Sequence, residues 1–366
     1  MTVLDDTLLT DPRALAAVDT GGVLRSAATA GAQVRSAAEG AFDAGIGDLV
    51  GTRPRALVLL RRPGASRVAA DLLAALLGPT SPVPVVLADT VPPWIGPLDV
   101  VVAHTADPTD AGLAEGVALA VGRGAEVLLS APAGGPVVSA GAGRVRLVEP
   151  RIPVPPGLDL PRALTVGLVT AGALDLLDLP RRGGLEPLAD QLDAEAERNQ
   201  PGHEPFLNPA KSLALRLAEH VPLLWGTDRL AAVVAGHATD ALATHAGVVG
   251  HAADLSSAMY ATGLVRAIDR GASGGDVFRD PFDDPVDGAD APPVRLVLLA
   301  TGDEDPGQVS LRLAGRTWPS ADLVHPVEEV PRDVRHAPLL RAAVLASRFV
   351  VAAVYLGLAT RTIEPA

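Results

Sequence analysis

The stretch RALVLLRRPGASRVAADLLAALLG (55–78) places an unbroken apolar run before a Pro-Gly turn and an amphipathic helix. An apolar run without polar alternation is typical of a strand that is buried on both faces of a parallel sheet. A helix directly after such a strand supplies the crossover that parallel strands need. The stretch therefore predicts one strand–helix unit of an α/β fold, with a turn at the carboxyl end of the strand.

Similar apolar runs recur through the first half of the chain. The candidate strands are VPVVLAD (83–89), LDVVVAH (98–104), AEVLLSA (125–131) and RVRLVEP (144–150). Helix-like segments lie between LDVVVAH and AEVLLSA and again over 162–179. Five strands separated by helices predict a parallel sheet that is covered by helices on both faces.

A second α/β unit follows a charged segment, LEPLADQLDAEAERNQ (185–200), which predicts an exposed linker helix. Its candidate strands are PLLWG (222–226), VRLVLLA (294–300) and DLVHPVEEV (322–330), with helices over 228–246 and 338–358. We therefore expect two domains, 1–180 and 181–366, each a parallel-sheet α/β sandwich. The Gly, Pro and Asp density of 271–293 predicts a mobile acidic loop.

Composition excludes several classes of function. The chain of 366 residues carries a net charge of −13, which repels phosphate backbones, so we expect no nucleic-acid partner. It contains no cysteine, which excludes disulfides and thiol chemistry and makes the cytoplasm the expected compartment. No signal pattern and no apolar run of membrane-spanning length are present, so no membrane partner is expected. Neither a dinucleotide fingerprint nor a P-loop occurs, so no cofactor is expected.

Two histidines in ATHAGVVGH (243–251) raise the question of a metal or catalytic centre. His245 and His251 would point about 240° apart on a helix, and no acidic residue completes a ligand set. We therefore expect no metal site.

Polar residues follow the apolar runs of the first half, where ligands of open parallel sheets bind. Gly64 and Ser66 follow the first run, Thr105 and Thr109 follow the third, and Arg162 opens a later helix. These residues can hold an anion at a helix N-terminus. Alternatively, Ser66 and Thr109 are helix N-caps and Arg162 is a surface charge, and the sequence leaves both readings open.

The order of these segments resembles the double-SIS (sugar isomerase) architecture of the bifunctional phosphoglucose/phosphomannose isomerases. GASRVAAD (64–71) is similar to a G-G-S loop ending in G-D, AHTADPTD (103–110) to S-x-S-G-N-T-E-E, and PPGLDLPR (155–162) to P-x-G-x-x-P-R. The family's N-P-A-K is intact at 208–211, and the C-terminal FVVAAVYLGLATRTIEP is similar to the family's last helix. The resemblance covers nearly the whole chain. It implies that Gly64, Ser66, Thr105, Thr109, Arg162 and Lys211 contact a phosphorylated hexose, and it implies a homodimer.

The chain departs from that family at the residues that transfer protons during isomerisation. The resemblance places Thr244 at the position of the family's catalytic glutamate, and AADLSSAMYATG (252–263) lacks the histidine that opens the sugar ring. A threonine hydroxyl is too weak a base to take a proton from carbon near neutral pH. Arg62 and Pro63 also replace glycines of the family's phosphate loop.

We therefore expect a sugar-phosphate-binding protein with weak or no isomerase activity. One alternative is an active aldose–ketose isomerase that uses relocated catalytic residues, with His245 and Arg162 as the candidates, since histidine has a suitable pKa. Another is a protein-interaction scaffold whose acidic segment 271–293 docks on a basic partner.

Overall fold

The computed structural model describes residues 4–79, 81–180, 183–273 and 293–363. Residue contacts divide the chain into two compact units: the N-unit, Val23–Glu197, and the C-unit, Met1–Gly22 with Arg198–Ala366. The predicted domain division at residue 180 stays a prediction. Residues 274–292 of the predicted acidic loop lie outside the described residues.

The described helices and strands alternate through most of the chain. The helices are α1 Pro12–Val18, α2 Val23–Ala27, α3 Ala30–Asp43, α4 Ala65–Leu77, α5 Ala111–Gly122, α6 Pro136–Ala140, α7 Leu160–Ala173, α8 Glu186–Arg198, α9 Pro209–Leu217, α10 Arg229–Ala246, α11 Leu255–Ala258, α12 Thr262–Ser273, α13 Pro306–Ala314 and α14 Ala337–Ala359. The strands are β1 Ala56–Leu60, β2 Val85–Ala88, β3 Asp99–His104, β4 Glu126–Ser130, β5 Arg146–Val148, β6 Val221–Gly226, β7 His251–Asp254, β8 Val294–Leu299 and β9 Asp322–Val324. Two short 3-10 helices cover Asp6–Thr10 and Ile46–Leu49.

The N-unit sheet has the order β2-β1-β3-β4-β5, and all its strands are parallel. All five strands predicted from the apolar runs are present. One face, which includes Val58, Val101 and Val127, packs on α5 and α6. On the other face α3, α4 and α7 pack together. Because both faces are covered, β1 and β3 are buried along their whole length, as their unbroken apolar runs require.

The C-unit sheet has the order β7-β6-β8-β9 and is also parallel. One face carries Trp225, which packs edge-on against Trp318 together with residues of α11 and α12. On the other face α10 packs on β6, β7 and β8, and α14 packs against α10. Strand β7 was not predicted, because HAAD contains no β-branched residue and its four positions are only half-buried.

Helix α14 is the long core helix of the C-unit. Its 23 residues are long and apolar enough to cross a membrane, but 94% of its most apolar stretch is buried inside the folded chain. A core helix has the same length and composition, so this is weak evidence for a membrane. Its two arginines support a place in the protein interior, since Arg341 is fully buried and bonded to three backbone carbonyl oxygens.

The fold predicted from the sequence, an α/β chain with two parallel-sheet units, is confirmed. The predicted linker helix is present as α8, but it is not simply exposed. Leu188 and Leu192 are buried, and Asp190 and Asp193 form ion pairs with Arg35 of α3.

Candidate functional site

The carboxyl edge of the N-unit sheet gathers most of the predicted site residues. Gly64 and Ser66 follow β1, Thr105 follows β3, and Arg162 lies in the first turn of α7. Arg62 joins the first two loops, because its guanidinium forms two hydrogen bonds, of 2.8 and 2.7 Å, with the carboxylate of Asp110. Helices α4, α5, α6 and α7 all begin at this edge, so their positive N-terminal ends lie there.

The β1–α4 turn leads directly into the first turn of α4. Gly64 is the N-cap of α4 with a φ of 82° and a ψ of −143°, and no side chain caps the helix. Ser66 is buried, and its hydroxyl donates to the Leu60 carbonyl at 3.0 Å and accepts from the Arg62 amide at 3.2 Å. The interpretation of Ser66 as an N-cap is therefore wrong, because its hydroxyl holds the turn together.

The loop after β3 is folded around Asp107. The Thr105 hydroxyl is buried, donates to the Asp107 carbonyl and accepts from the Asp107 amide. Thr109 is exposed and its hydroxyl donates to the Asp107 carboxylate at 2.6 Å. Thr109 is not the N-cap of α5 either, since Asp110 accepts from the Leu113 amide in that role.

A buried polar network lies beside Thr105. The carboxylate of Asp159 accepts from His104 Nε2 at 2.7 Å and from Arg162 Nη2 at 3.3 Å. The other ring nitrogen of His104, Nδ1, lies 3.0 Å from the Ser130 hydroxyl. With a proton on Nε2, the ring donates to Asp159 and accepts from Ser130. His104 is the last residue of β3 and Ser130 the last of β4, so parallel pairing places the two side by side.

The charges in this network follow from burial and from hydrogen bonds. Burial lowers the pKa of His104, so its imidazole is neutral near pH 7, although the hydrogen bond with Asp159 opposes this. Burial alone would raise the pKa of Asp159, but the hydrogen bond from His104 and the charge of Arg162 outweigh it and hold that pKa below its usual value. The network therefore contains one carboxylate and one guanidinium around a neutral ring.

Arg162 keeps an unused donor. Only 6% of the residue is exposed, and its Nε atom is buried without a hydrogen-bond partner. Burial lowers the pKa of Arg162, and the nearby charge of Asp159 partly opposes the shift. The reading of Arg162 as a solvated surface charge is therefore wrong. Helix α7 also begins without a side-chain cap, because the carboxylate of its N-cap residue, Asp159, bonds to His104 and Arg162 instead.

Lys211, in the C-unit, is bound by its own chain. Its ammonium donates to the carbonyl oxygens of Leu9, Pro201 and His203 at 2.7 to 2.8 Å. It also lies 5.4 Å from the ring centroid of Tyr355. Since an ammonium has three N–H groups, all of them are used. This geometry gives Lys211 a structural task and leaves no donor for a substrate.

His245 lies near the C-terminal end of α10. The chain runs from there through 247–250 into β7, so His245 is at the amino edge of the C-unit sheet. Its backbone carbonyl is in close contact with the site of Gly357, where α14 crosses α10. The ring is buried, and burial lowers its pKa. Thr244, beside it, is exposed. Neither residue lies with the polar groups at the carboxyl edge of its own sheet.

The carboxyl edge of the C-unit sheet is occupied by internal ion pairs and hydrogen bonds. Asp228 caps α10 and also accepts from the Thr301 amide and hydroxyl and from the Gly302 amide. Arg341 donates to the carbonyls of Thr301, Gly302 and Val330 and to the Asp303 carboxylate. Among the described residues, no group of three or more His, Asp or Glu side chains can hold a metal ion.

His104, Ser130 and Asp159 were not among the site residues predicted from the sequence. A signal was present, since His104 and Ser130 are polar residues at the carboxyl ends of two strands with apolar interiors. Asp159 lies 55 residues from His104, so their contact depends on the fold and no local pattern predicts it.

No protein-family model and no curated protein sequence matches the chain. Its structure is similar to a protein from Silicibacter pomeroyi DSS-3 provisionally assigned as a phosphosugar isomerase, with a TM-score of 0.61, 14% identity and coverage of 94% of this chain and 99% of that one. It is also similar to the tagatose-6-phosphate ketose/aldose isomerase of Escherichia coli, with a TM-score of 0.58, 10% identity and 94% coverage of both chains.

A third similar structure is the C-terminal domain of glucosamine-fructose-6-phosphate aminotransferase from Francisella tularensis. Its TM-score is 0.56 at 8% identity, and the match covers 93% of this chain and 95% of that one. At such low identities the likeness establishes the fold and nothing finer.

Proposed function

We propose that this chain binds a phosphorylated hexose at the carboxyl edge of the N-unit sheet and has weak or no isomerase activity. The observation that carries the proposal is the buried Arg162 Nε, which has no acceptor and lies in the first turn of an uncapped helix. A phosphate oxygen would supply that acceptor and would also meet the positive end of the helix.

The β1–α4 turn supports the same ligand. Gly64 lets the backbone approach a ligand closely, and α4 starts there without a side-chain cap. Ser66 and Thr105 shape the two loops through their buried hydroxyls, and exposed Thr109 is free to contact the sugar on its outer side. Lys211 is not part of this proposed site, since its ammonium is already saturated.

The non-catalytic half of the proposal rests on proton chemistry. Isomerisation of an aldose to a ketose needs a positioned base at the sugar carbons. Thr244 cannot act as that base, and His245 is buried at the amino edge of the C-unit sheet. His104 is neutral, but both of its ring nitrogens are engaged, by Asp159 and Ser130, so a sugar carbon has no free nitrogen to approach.

Titration calorimetry with fructose 6-phosphate, glucose 6-phosphate and mannose 6-phosphate tests the proposal. We expect at least one ligand to bind, and the change Arg162→Gln to weaken it by about 10- to 100-fold, because a charge-assisted hydrogen bond contributes about 1.5–3 kcal/mol. The matched control is Arg144→Gln, which removes the same charge from an exposed position of the N-unit.

Because Arg162 is buried, Arg162→Lys is a second variant that keeps the charge but loses the planar fork, and melting curves check that both variants fold. The absence of a heat of binding with any of the three ligands at millimolar concentration would overturn the proposal that the chain binds a phosphorylated hexose. Turnover in a coupled isomerase assay, abolished by His245→Ala, would overturn the non-catalytic half in favour of the relocated-residue alternative.

The homodimer and the cytoplasmic location implied earlier remain proposals. Light scattering on the purified protein tests the first, and fractionation of cells tests the second. The scaffold alternative depends on 271–293, which lies almost wholly outside the described residues. Unchanged binding partners after deletion of that segment would count against it.

A further inference from the structure

A cavity of about 240 Å³ lies in the C-unit and is lined by residues of that unit. It opens between α9, the segment that follows β9, and α14. Leu213 and Arg216 face it from one side of α9, since residues three apart share a helix face. Pockets that bind drug-sized ligands have volumes of roughly 300–1,000 Å³. The cavity therefore fits a smaller ligand, about the size of one hexose ring.

The charges that line this cavity cancel. Its two cations are Arg216 and Arg348, and its two carboxylates are Glu328 and Glu329. Arg348 Nη2 is paired with Glu329 at 2.5 Å, and Arg216 is paired at 3.1 Å with Asp322 outside the cavity. A phosphate or other anion would meet carboxylates as well as guanidinium groups. The lining therefore favours an uncharged ligand over an anion.

Hydrogen-bonding groups of both kinds face the same space. His325 Nε2 donates to the Gly302 carbonyl at 2.9 Å, which leaves Nδ1 as an acceptor when the ring is neutral. Burial lowers the pKa of His325, so the neutral ring prevails near pH 7. Arg216 offers donors and Glu328 offers acceptors, while Leu213 and Val327 supply apolar surface. Sugar hydroxyls donate and accept at once, and the C–H face of a sugar ring packs on apolar side chains.

We propose that this cavity of the C-unit is a binding site for an uncharged, unphosphorylated monosaccharide. The site is separate from the phosphorylated-hexose site proposed at the N-unit edge and does not depend on it.

The test is saturation-transfer NMR and titration calorimetry on the full chain with D-glucose, D-mannose, D-fructose and, as the anionic probe, inorganic phosphate. We expect millimolar binding of at least one neutral sugar. The change Val327→Trp, made at a half-buried position of the lining, should weaken that binding at least tenfold by filling the cavity. Glu328→Gln should weaken it about threefold, whereas its matched control Glu115→Gln, at an exposed position of the N-unit, should leave it unchanged.

Testing each variant with the ligand of the other site distinguishes the two proposed sites. Val327→Trp should leave the binding of phosphorylated hexoses intact, and Arg162→Gln should leave the binding of neutral sugars intact. The cavity proposal is overturned if no neutral sugar binds, if Val327→Trp, shown to be folded by its melting curve, binds as well as the wild type, or if inorganic phosphate displaces the neutral sugar from the wild type.

Discussion

The two sheets of this chain differ in how the helices at their carboxyl edges begin. In the N-unit, α4, α6 and α7 start without a hydrogen bond from the side chain of the N-cap residue; those residues are Gly64, Gly135 and Asp159. In the C-unit, the helices that directly follow β6, β7 and β8 each start at an aspartate whose carboxylate accepts a backbone N–H; those residues are Asp228, Asp254 and Asp305.

An internal carboxylate at a helix start occupies the place that an external anion would take. The C-unit edge is therefore satisfied by its own chain, while the N-unit edge keeps uncapped backbone donors and the Arg162 Nε, which the proposed phosphate would use. One helix of the N-unit, α5, follows the C-unit pattern, because Asp110 caps it and pairs with Arg62. The two parallel sheets thus differ in whether the chain itself supplies a carboxylate at most of its helix starts.

The largest expected effect comes from removing the internal anion of the C-unit with Asp228→Ala. The change removes a helix cap and leaves the Thr301 and Gly302 amides without their acceptor, so we expect a loss of about 3 kcal/mol in the free energy of unfolding. Urea denaturation followed by the fluorescence of the buried Trp225 and Trp318 measures it.

Asp305→Ala is the control for this change, because Asp305 lies at an exposed position and its carboxylate accepts the cap hydrogen bond from the Gln308 amide at the start of α13. We expect it to cost about 1 kcal/mol. Equal losses for the two variants would show that Asp228 is an ordinary cap and would break the comparison.

The comparison becomes sharper if the backbone of the N-unit edge is strained at the β1–α4 turn, where the proposed ligand would bind. Gly64 has a φ of 82°, which side chains rarely adopt, and a Cβ there would meet no atom within 4 Å. Gly64→Ala should therefore cost about 2 kcal/mol through backbone strain alone. Thermal melting checks this against Gly96→Ala, where a Cβ also meets nothing but φ is not positive. A neutral Gly64→Ala would contradict the backbone argument.

Acid should weaken the N-unit edge through His104. Burial lowers the pKa of the His104 imidazole in the folded state. Below about pH 6.5 the histidine is therefore protonated in the unfolded chain but not in the folded chain, so the free energy of unfolding falls as the pH is lowered. At one pH unit below 6.5, the loss from this histidine reaches at most about 1.4 kcal/mol. Urea denaturation of the wild type and of His104→Gln at pH 7.5 and 5.5 gives the difference.

His245 and His325 have lowered pKa values too, and both remain in the variant, so only the difference between the two proteins reports on His104. We expect the protection factors of the β3 amides, which correct for the slower intrinsic exchange in acid, to fall on acidification in the wild type and to fall less in His104→Gln. The same pH response in both proteins would remove His104 as its source.

The smallest expected effect comes from removing the internal carboxylate at the start of one N-unit helix, α5. Asp110→Asn keeps an acceptor for the Leu113 amide but frees the Arg62 guanidinium, so inorganic phosphate should bind about fivefold more tightly, equivalent to roughly 1 kcal/mol. Calorimetry measures this, with Asp107→Asn as a control in the same loop. An unchanged phosphate affinity would show that the carboxylate of Asp110 does not stand in for a ligand.

The fold was predictable because parallel strands buried on two faces leave unbroken apolar runs such as ALVLL (56–60). Strand β7 was missed because an edge strand with the sequence HAAD is half-buried and carries no such run. The candidate loops were also found from the turns that follow strands. The roles of Ser66 and Thr109 within them were not, since Gly64 and Asp110 take the cap positions that their residue types suggested.

Polar contacts between residues far apart in the chain could not be predicted from the sequence. The His104–Asp159 hydrogen bond joins residues 55 apart in the chain, and the saturation of Lys211 depends partly on the carbonyl of Leu9, 202 residues away. Periodicity reports which face of an element is apolar, but it carries no information about which polar groups meet across a fold.

The Lys211 ammonium donates to the Leu9 carbonyl, and the Asp5 amide donates to the Ala359 carbonyl, so residues 5–9 are bonded to two segments that are made much later. During translation, at roughly 5–20 residues per second, residues 5–9 leave the ribosome tens of seconds before Ala359 is added. The N-unit can finish folding in that interval, whereas the Asp5 amide lacks its acceptor until α14 has been made. A ribosome stalled before α14 would therefore present a folded N-unit tethered to a C-unit that lacks its central helix.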